Sequence, residues 1–164
     1  SWTGPNSFTS TSQNPTIASV TTAASGNYSV TATVAGCTGA AGTTSVTVNS
    51  IPSAPTGGSN TPVCSGTTLS LTASTISGAT YSWTGPNSFT STSQNPTISS
   101  VTTSGTGTYS VTATVFGCTG AAGTTSVTIL QTPAAPTGGS NSPICVGTTL
   151  SLTASTITGC CGSY

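Results

Sequence analysis

The chain has 164 residues and not one Lys, Arg, Asp, Glu or His. That excludes acid–base catalysis by imidazole or carboxylate, a serine nucleophile with a base to activate it, carboxylate-built calcium or magnesium sites, and cation-driven nucleic-acid binding. Ser, Thr, Tyr and Cys remain as the reactive groups, so no enzyme, cofactor or metal is expected, and a surface without charge points to packing against copies of itself.

Taken from its start, the chain opens in mid-pattern with Ser1-Trp2-Thr3-Gly4-Pro5. Residues 1–20, SWTGPNSFTSTSQNPTIASV, return at 82–101 as SWTGPNSFTSTSQNPTISSV. Trp2 matches Trp83, Tyr28 matches Tyr109, Cys37 matches Cys118 and Cys64 matches Cys145, each pair 81 residues apart. The offset runs through Leu71/Leu152 to Gly78/Gly159 and then breaks. There Gly78-Ala79-Thr80-Tyr81 becomes Gly159-Cys160-Cys161-Gly162-Ser163-Tyr164, two residues longer. Repetition on this scale marks an array of similar units. Since Tyr81 runs on into Ser82-Trp83, joining Tyr164 to another Ser1-Trp2 restores the repeat. The expectation is a two-repeat period of a continuing array, or a subunit whose halves are completed by its neighbours.

The strand pattern is all-β. Thr68–Ala73, Tyr81–Trp83, Tyr109–Val115 and Thr125–Ile129 alternate apolar with polar residues, as half-buried strands do. Gly-Pro, Asn-Pro, Ser-Gly and Gly-Gly pairs separate them as turns. The fold class expected is tandem Ig-like antiparallel β-sandwich repeats of about 81 residues, with boundaries at the Pro-rich stretches near Pro52 and Pro133. Residues 51–131 then form one complete domain. Residues 1–50 supply the later strands of another, completed by a neighbouring copy, and 132–164 supply the first strands of the next. Continuation of the chain or strand donation, one mode of β-augmentation, would complete the halves. No apolar run is long enough to cross a membrane as a helix.

These residues also resemble a known group. PTGGSNTPVCSGTTLSLTAS, then YSWTGPNSF, then NPTISSVTTSGTGTYSVTATVFGCT is similar to the PKD-like and Ig-like repeats of Bacteroidota surface and secreted proteins, over essentially the whole chain. The resemblance implies a spacer or adhesive stalk outside the cell. Gly107-Thr108-Tyr109-Ser110-Val111 resembles a tyrosine corner, with Trp83 on the third strand. Leu71 and Val111 stand where antibody-type domains carry their inter-sheet cystine.

Trp2, Trp83, Tyr28, Tyr109, Leu71 and Val111 are therefore expected in the core, the tyrosine hydroxyls bonding to backbone. Stacking of sugars on these aromatics is the competing reading. The six cysteines, Cys37, Cys64, Cys118, Cys145, Cys160 and Cys161, suggest an oxidising compartment. In a sandwich Cys64 and Cys118 fall at opposite poles, so bonds across domain junctions compete with a Cys64–Cys118 bond inside one domain. The junction reading gathers Cys64, Cys160, Cys161 and a neighbour's Cys37 at one junction, and Cys145 with a neighbour's Cys118 at the other. Zinc held by Cys160 and Cys161 fits no usual ligand spacing. Asn27-Tyr28-Ser29 is a lone glycosylation sequon. The functional expectation is an extracellular structural fibre or stalk, a head-to-tail homopolymer. The alternative is a surface adhesin that grips a glycan, or an ice-binding protein presenting rows of Thr.

Overall fold

The computed structural model describes residues 1–157. The described chain divides into two compact units. One is Ser1–Pro52 with Phe116–Cys118; the other is Ser53–Val115 with the described residues from Thr119 onward.

In the first unit β1 (Trp2–Gly4), β2 (Phe8–Ser10), β3 (Gly26–Val30) and β6 (Gly42–Val46) form one antiparallel sheet ordered β2-β1-β3-β6. The short β4 (Thr33–Val34) and β5 (Cys37–Thr38) pair above it as the tip of a hairpin. Tyr28 and Ala24 are buried, but Val46 and Val20 are 38% and 48% exposed.

The second unit begins with a closed sandwich. Its first sheet is β7 (Gly57–Ser59), β9 (Leu69–Ala73) and β12 (Thr97–Ile98), ordered β12-β9-β7. Between β7 and β9 lies β8 (Val63–Cys64), which runs parallel to β16 (Ile129–Leu130). The facing sheet holds β10 (Thr80–Gly85), β11 (Phe89–Ser91), β13 (Gly107–Val115), β14 (Cys118–Thr119) and β15 (Gly123–Val127). Within it β10 pairs with both β11 and β13, and β13 pairs with β15, all antiparallel. Two packed antiparallel sheets in this order make an Ig-like β-sandwich. Farther along, β17 (Gly138–Ser140) and β18 (Leu152–Ala154) form an antiparallel hairpin.

Alternation explains the core. On β13 the residues Tyr109, Val111 and Ala113 face inward in steps of two, and on β9 Leu69, Leu71 and Ala73 do the same. Trp83, Leu69, Val111 and Ala113 are fully buried, with Leu71 and Tyr109 at 1% and 2% exposure. Their facing neighbours are Thr and Ser, which hydrate the outer surface without charge.

The tyrosine sits in a corner. Tyr109 Oη donates to the Gly105 carbonyl at 3.0 Å, and Tyr28 Oη to the Ala24 carbonyl at 2.9 Å. Phe89 meets the Tyr109 ring edge-on at 5.6 Å, and Phe8 meets Tyr28 at 5.7 Å. Gly85 must be glycine, because a Cβ there would enter the Tyr109 ring; Gly4 stands in the same relation to Tyr28. Burial raises the Tyr109 hydroxyl above the ordinary tyrosine pKa, since the phenolate would lose its hydration.

Candidate assembly site

The two units carry one architecture at different stages of completion. The sheet β1-β2-β3-β6 repeats β10-β11-β13-β15 with the same register: Trp2 opposes Ser10 and Val30, just as Trp83 opposes Ser91 and Val111. The hairpin β17–β18 repeats β7–β9, with Gly138 opposite Ala154 as Gly57 is opposite Ala73. In the closed sandwich the two parts lie face to face. In the first unit the sheet has a cleft where the hairpin would be.

That cleft is an open, mainly apolar groove of about 380 Å³, lined by Trp2, Phe8, Asn14, Pro15, Ile17, Val20, Ala24, Tyr28, Thr44, Val46 and Val48. Every one of these residues has its counterpart 81 positions on, and Trp83, Phe89, Ile98, Val101, Tyr109, Val127 and Ile129 among those counterparts share one core with Leu69, Leu71 and Ala73. Val127 is 2% exposed and Val101 5%, whereas their counterparts Val46 and Val20 are 38% and 48% exposed. Thr16-Ile17 is identical to Thr97-Ile98, yet only the latter is a strand. The reason is pairing: Thr97 and Ile98 are held by Ser70 and Leu69 of β9, and residues 16–17 have no such neighbour.

The hydrogen bonds that grip β9 show what the groove is equipped to do. Asn95 Oδ1 accepts from Ala73 N at 3.1 Å, and Gln94 Nε2 donates to the Ala73 carbonyl at 2.9 Å. The Pro96 carbonyl accepts from Leu71 N at 2.9 Å. Val101 exchanges two backbone bonds with the Gly66–Thr67 turn, at 2.8 and 3.0 Å. Gln13, Asn14, Pro15 and Val20 offer the same atoms in the first unit. Trp2 Nε1 already donates to the Gln13 carbonyl at 3.1 Å, matching Trp83 and Gln94 at 3.2 Å, so the Gln-Asn-Pro segment is held in position.

The hairpin is the other half. Leu152 is 76% exposed and Leu150 54%, while their counterparts Leu71 and Leu69 are 1% and 0%. Ile144 and Val146 are also exposed, at 42% and 107%. A hairpin whose strand β18 and connecting segment present four large apolar side chains to water carries an uncovered apolar surface. The hairpin nonetheless keeps its shape through Asn141, whose side chain bonds the Thr149 carbonyl at 3.0 Å and Ser151 N at 2.9 Å. Asn60 does the same for β7–β9, bonding the Thr68 carbonyl at 3.1 Å and Ser70 N at 2.9 Å.

Of the residues singled out from sequence, Trp83, Tyr109, Leu71 and Val111 lie in the closed core and Tyr28 is buried. Trp2 is half-buried at the groove. Among the described cysteines Cys37, Cys118 and Cys145 are free thiols. Cys64 is disulfide-bonded while Cys118 is free, so the Cys64–Cys118 bond expected as one alternative does not form. Cys160 and Cys161 lie outside the described residues. The described residues contain no group of three or more potential metal ligands, and no helix long and apolar enough to cross a membrane. Sequence reading missed the Gln-Asn clamp; an Asn next to Pro reads as a turn, and only its pairing with a strand gives it another role.

These features define a protein built from Ig-like β-sandwich repeats. No protein-family model matches the chain, and no curated protein sequence matches it. Similar solved structures include the amphioxus IgVJ-C2 molecule, at 22% identity and TM-score 0.41, over 66% of this chain and 63% of that one. The four N-terminal Ig domains of Dscam1 isoform 6.44 match at 16% identity and TM-score 0.38, over 67% of this chain and 28% of theirs. Sidekick-1 immunoglobulin domains 1–5 match at 16% and 0.35, over 69% of this chain and 26% of theirs. The chain thus spans less than two thirds of each. Likeness at this level concerns fold alone.

Proposed function

We propose that this protein is an extracellular structural element, a fibre or surface stalk in which Ig-like repeats are completed from one copy to the next. The observation that carries the reading is the pairing of an open groove in residues 1–52 with a solvated hairpin in 138–154, in a chain that also contains the closed version of the same sandwich. Burying the apolar faces of both parts supplies the driving force, and backbone bonding of an added strand supplies direction. Each 164-residue period carries one groove and one hairpin, so joining them, across chains or by continuation of the chain, is head-to-tail and propagates. The resemblance to surface repeats of Bacteroidota and the disulfide at Cys64 favour a place outside the cell. A chain without ionisable catalytic groups is suited to mechanical work: reach, cohesion and attachment.

The test is sedimentation velocity over a hundredfold range of concentration, with negative-stain microscopy of the same samples. Growth of the species with concentration into unbranched filaments supports the reading. A single dispersed species throughout, with no filaments, overturns it.

A further inference from the structure

We infer that the groove of residues 1–52 takes the β17–β18 hairpin of a second copy, and discriminates it from a hairpin of the β7–β9 type by a matched set of substitutions divided between the two surfaces. The inference rests on the fibre reading and adds its recognition code. Among the positions where these parts depart from their closed counterparts, three contacts change on both sides.

Val63 and Ile129 are partners across β8 and β16. Their counterparts are Ile144 and Val48, so one carbon has moved from the groove side to the hairpin side while the joint volume is kept. A Cβ added at Gly105 would lie 2.9 Å from Ile129 Cδ1. The counterparts are Ala24 and Val48: the Cβ has appeared and the δ carbon has gone. Ser65 and Thr132 form a hydroxyl pair at 3.0 Å, reinforced by Thr132 N to Ser65 Oγ at 3.0 Å and Thr132 Oγ1 to the Ser65 carbonyl at 2.7 Å. Their counterparts are Val146 and Ile51, both apolar and 107% and 72% exposed. Two hydroxyls have been exchanged for two hydrocarbon side chains, one on each surface.

The backbone anchor beside them is kept, with Ser25 in place of Thr106. Ser25 Oγ accepts from Val48 N at 2.8 Å, as Thr106 Oγ1 accepts from Ile129 N at 2.9 Å. The three exchanged contacts thus change while that backbone bond is kept. A β7–β9-type hairpin in this groove would set the Ser65 hydroxyl against Ile51 and leave a methylene-sized gap at Val48. Gaps and unmatched hydroxyls each weaken a packed contact. The cognate hairpin fills the gap with Ile144 and covers Ile51 with Val146. Copies consequently join by the groove of one and the hairpin of the next, and the closed sandwich is not opened by exchange.

Two full-length variants test this. The first alters only the hairpin, Ile144→Val with Val146→Ser. The second alters only the groove, Ala24→Gly with Val48→Ile and Ile51→Thr. All five positions lie outside the closed sandwich, whose melting serves as the folding control. Each variant alone is expected to need about tenfold more protein to assemble than the parent, the scale of coupling between side chains in contact. An equal mixture restores assembly to within about threefold of the parent, because both junctions are then matched. A single chain with all five changes also assembles. Variants that assemble like the parent, or a mixture no better than its components, overturn the inference and leave the fibre reading standing. Rescue only when all five changes share one chain overturns the second-copy occupant in favour of closure within a chain. A parent that never assembles overturns both.

Discussion

Leu71 and Leu152 have the same side chain at the same point of the repeat, and the structure assigns them opposite roles. Leu71 is 1% exposed inside the closed sandwich, and Leu152 is 76% exposed on the hairpin. Leu71→Ala removes packed atoms and leaves a cavity, costing about 2–5 kcal/mol of folding stability. Leu152→Ala removes atoms already in water, so the dispersed chain should unfold within about 0.5 kcal/mol of the parent. In the assembled state Leu152 would move into the place Leu71 occupies between the sheets. The same 2–5 kcal/mol then appears as a loss of association, about 30- to 4000-fold in the concentration needed to assemble. Chemical denaturation of dispersed protein measures the first quantity, and sedimentation over a concentration series the second. A Leu152→Ala chain that is destabilised as much as Leu71→Ala, or that assembles as readily as the parent, would refute the reasoning.

Three further outcomes follow from the chemistry. Tyr109→Phe removes a buried hydroxyl bonded to the Gly105 carbonyl at 3.0 Å and should lower sandwich stability by about 1–2 kcal/mol in denaturant unfolding. With no carboxylate, imidazole, ammonium or guanidinium side chain, the sandwich should show no acid unfolding between about pH 4 and 8. Tyr109 has its pKa raised by burial, so its contribution is complete below the ordinary tyrosine value and is lost as pH rises through the folded one; the melting temperature should fall above about pH 10. Assembly should be unaffected by sodium chloride between about 0.05 and 0.5 M, because there are no side-chain charges to screen, whereas sulfate should strengthen it.

Much of the fold is legible in the residues because each strand of the closed sandwich pays with its own alternation. Tyr109-Ser110-Val111-Thr112-Ala113 can face only one way without burying its hydroxyls, and the corner tyrosine follows from Gly105 and Gly107 beside it. Context decided the rest. Thr16-Ile17 and Thr97-Ile98 are the same dipeptide in a strand and outside one, because strand geometry needs a neighbour to bond. The clamp at Gln13 and Asn14 is likewise invisible until Gln94 and Asn95 are seen holding β9. Changes such as Ile129 to Val48 and Thr132 to Ile51 look conservative or random along the chain. Only the contacts of the closed copy show that each is answered on the hairpin.

The most direct measurement is a cryo-electron-microscopy reconstruction of assembled protein at side-chain resolution. The account predicts β18 of one copy seated between Trp2 and Tyr28 of the next, with Leu152 enclosed and Ala154 N bonded to Asn14. A map in which residues 138–154 stay solvated while the groove is empty, or is closed by residues of the same copy, would contradict it.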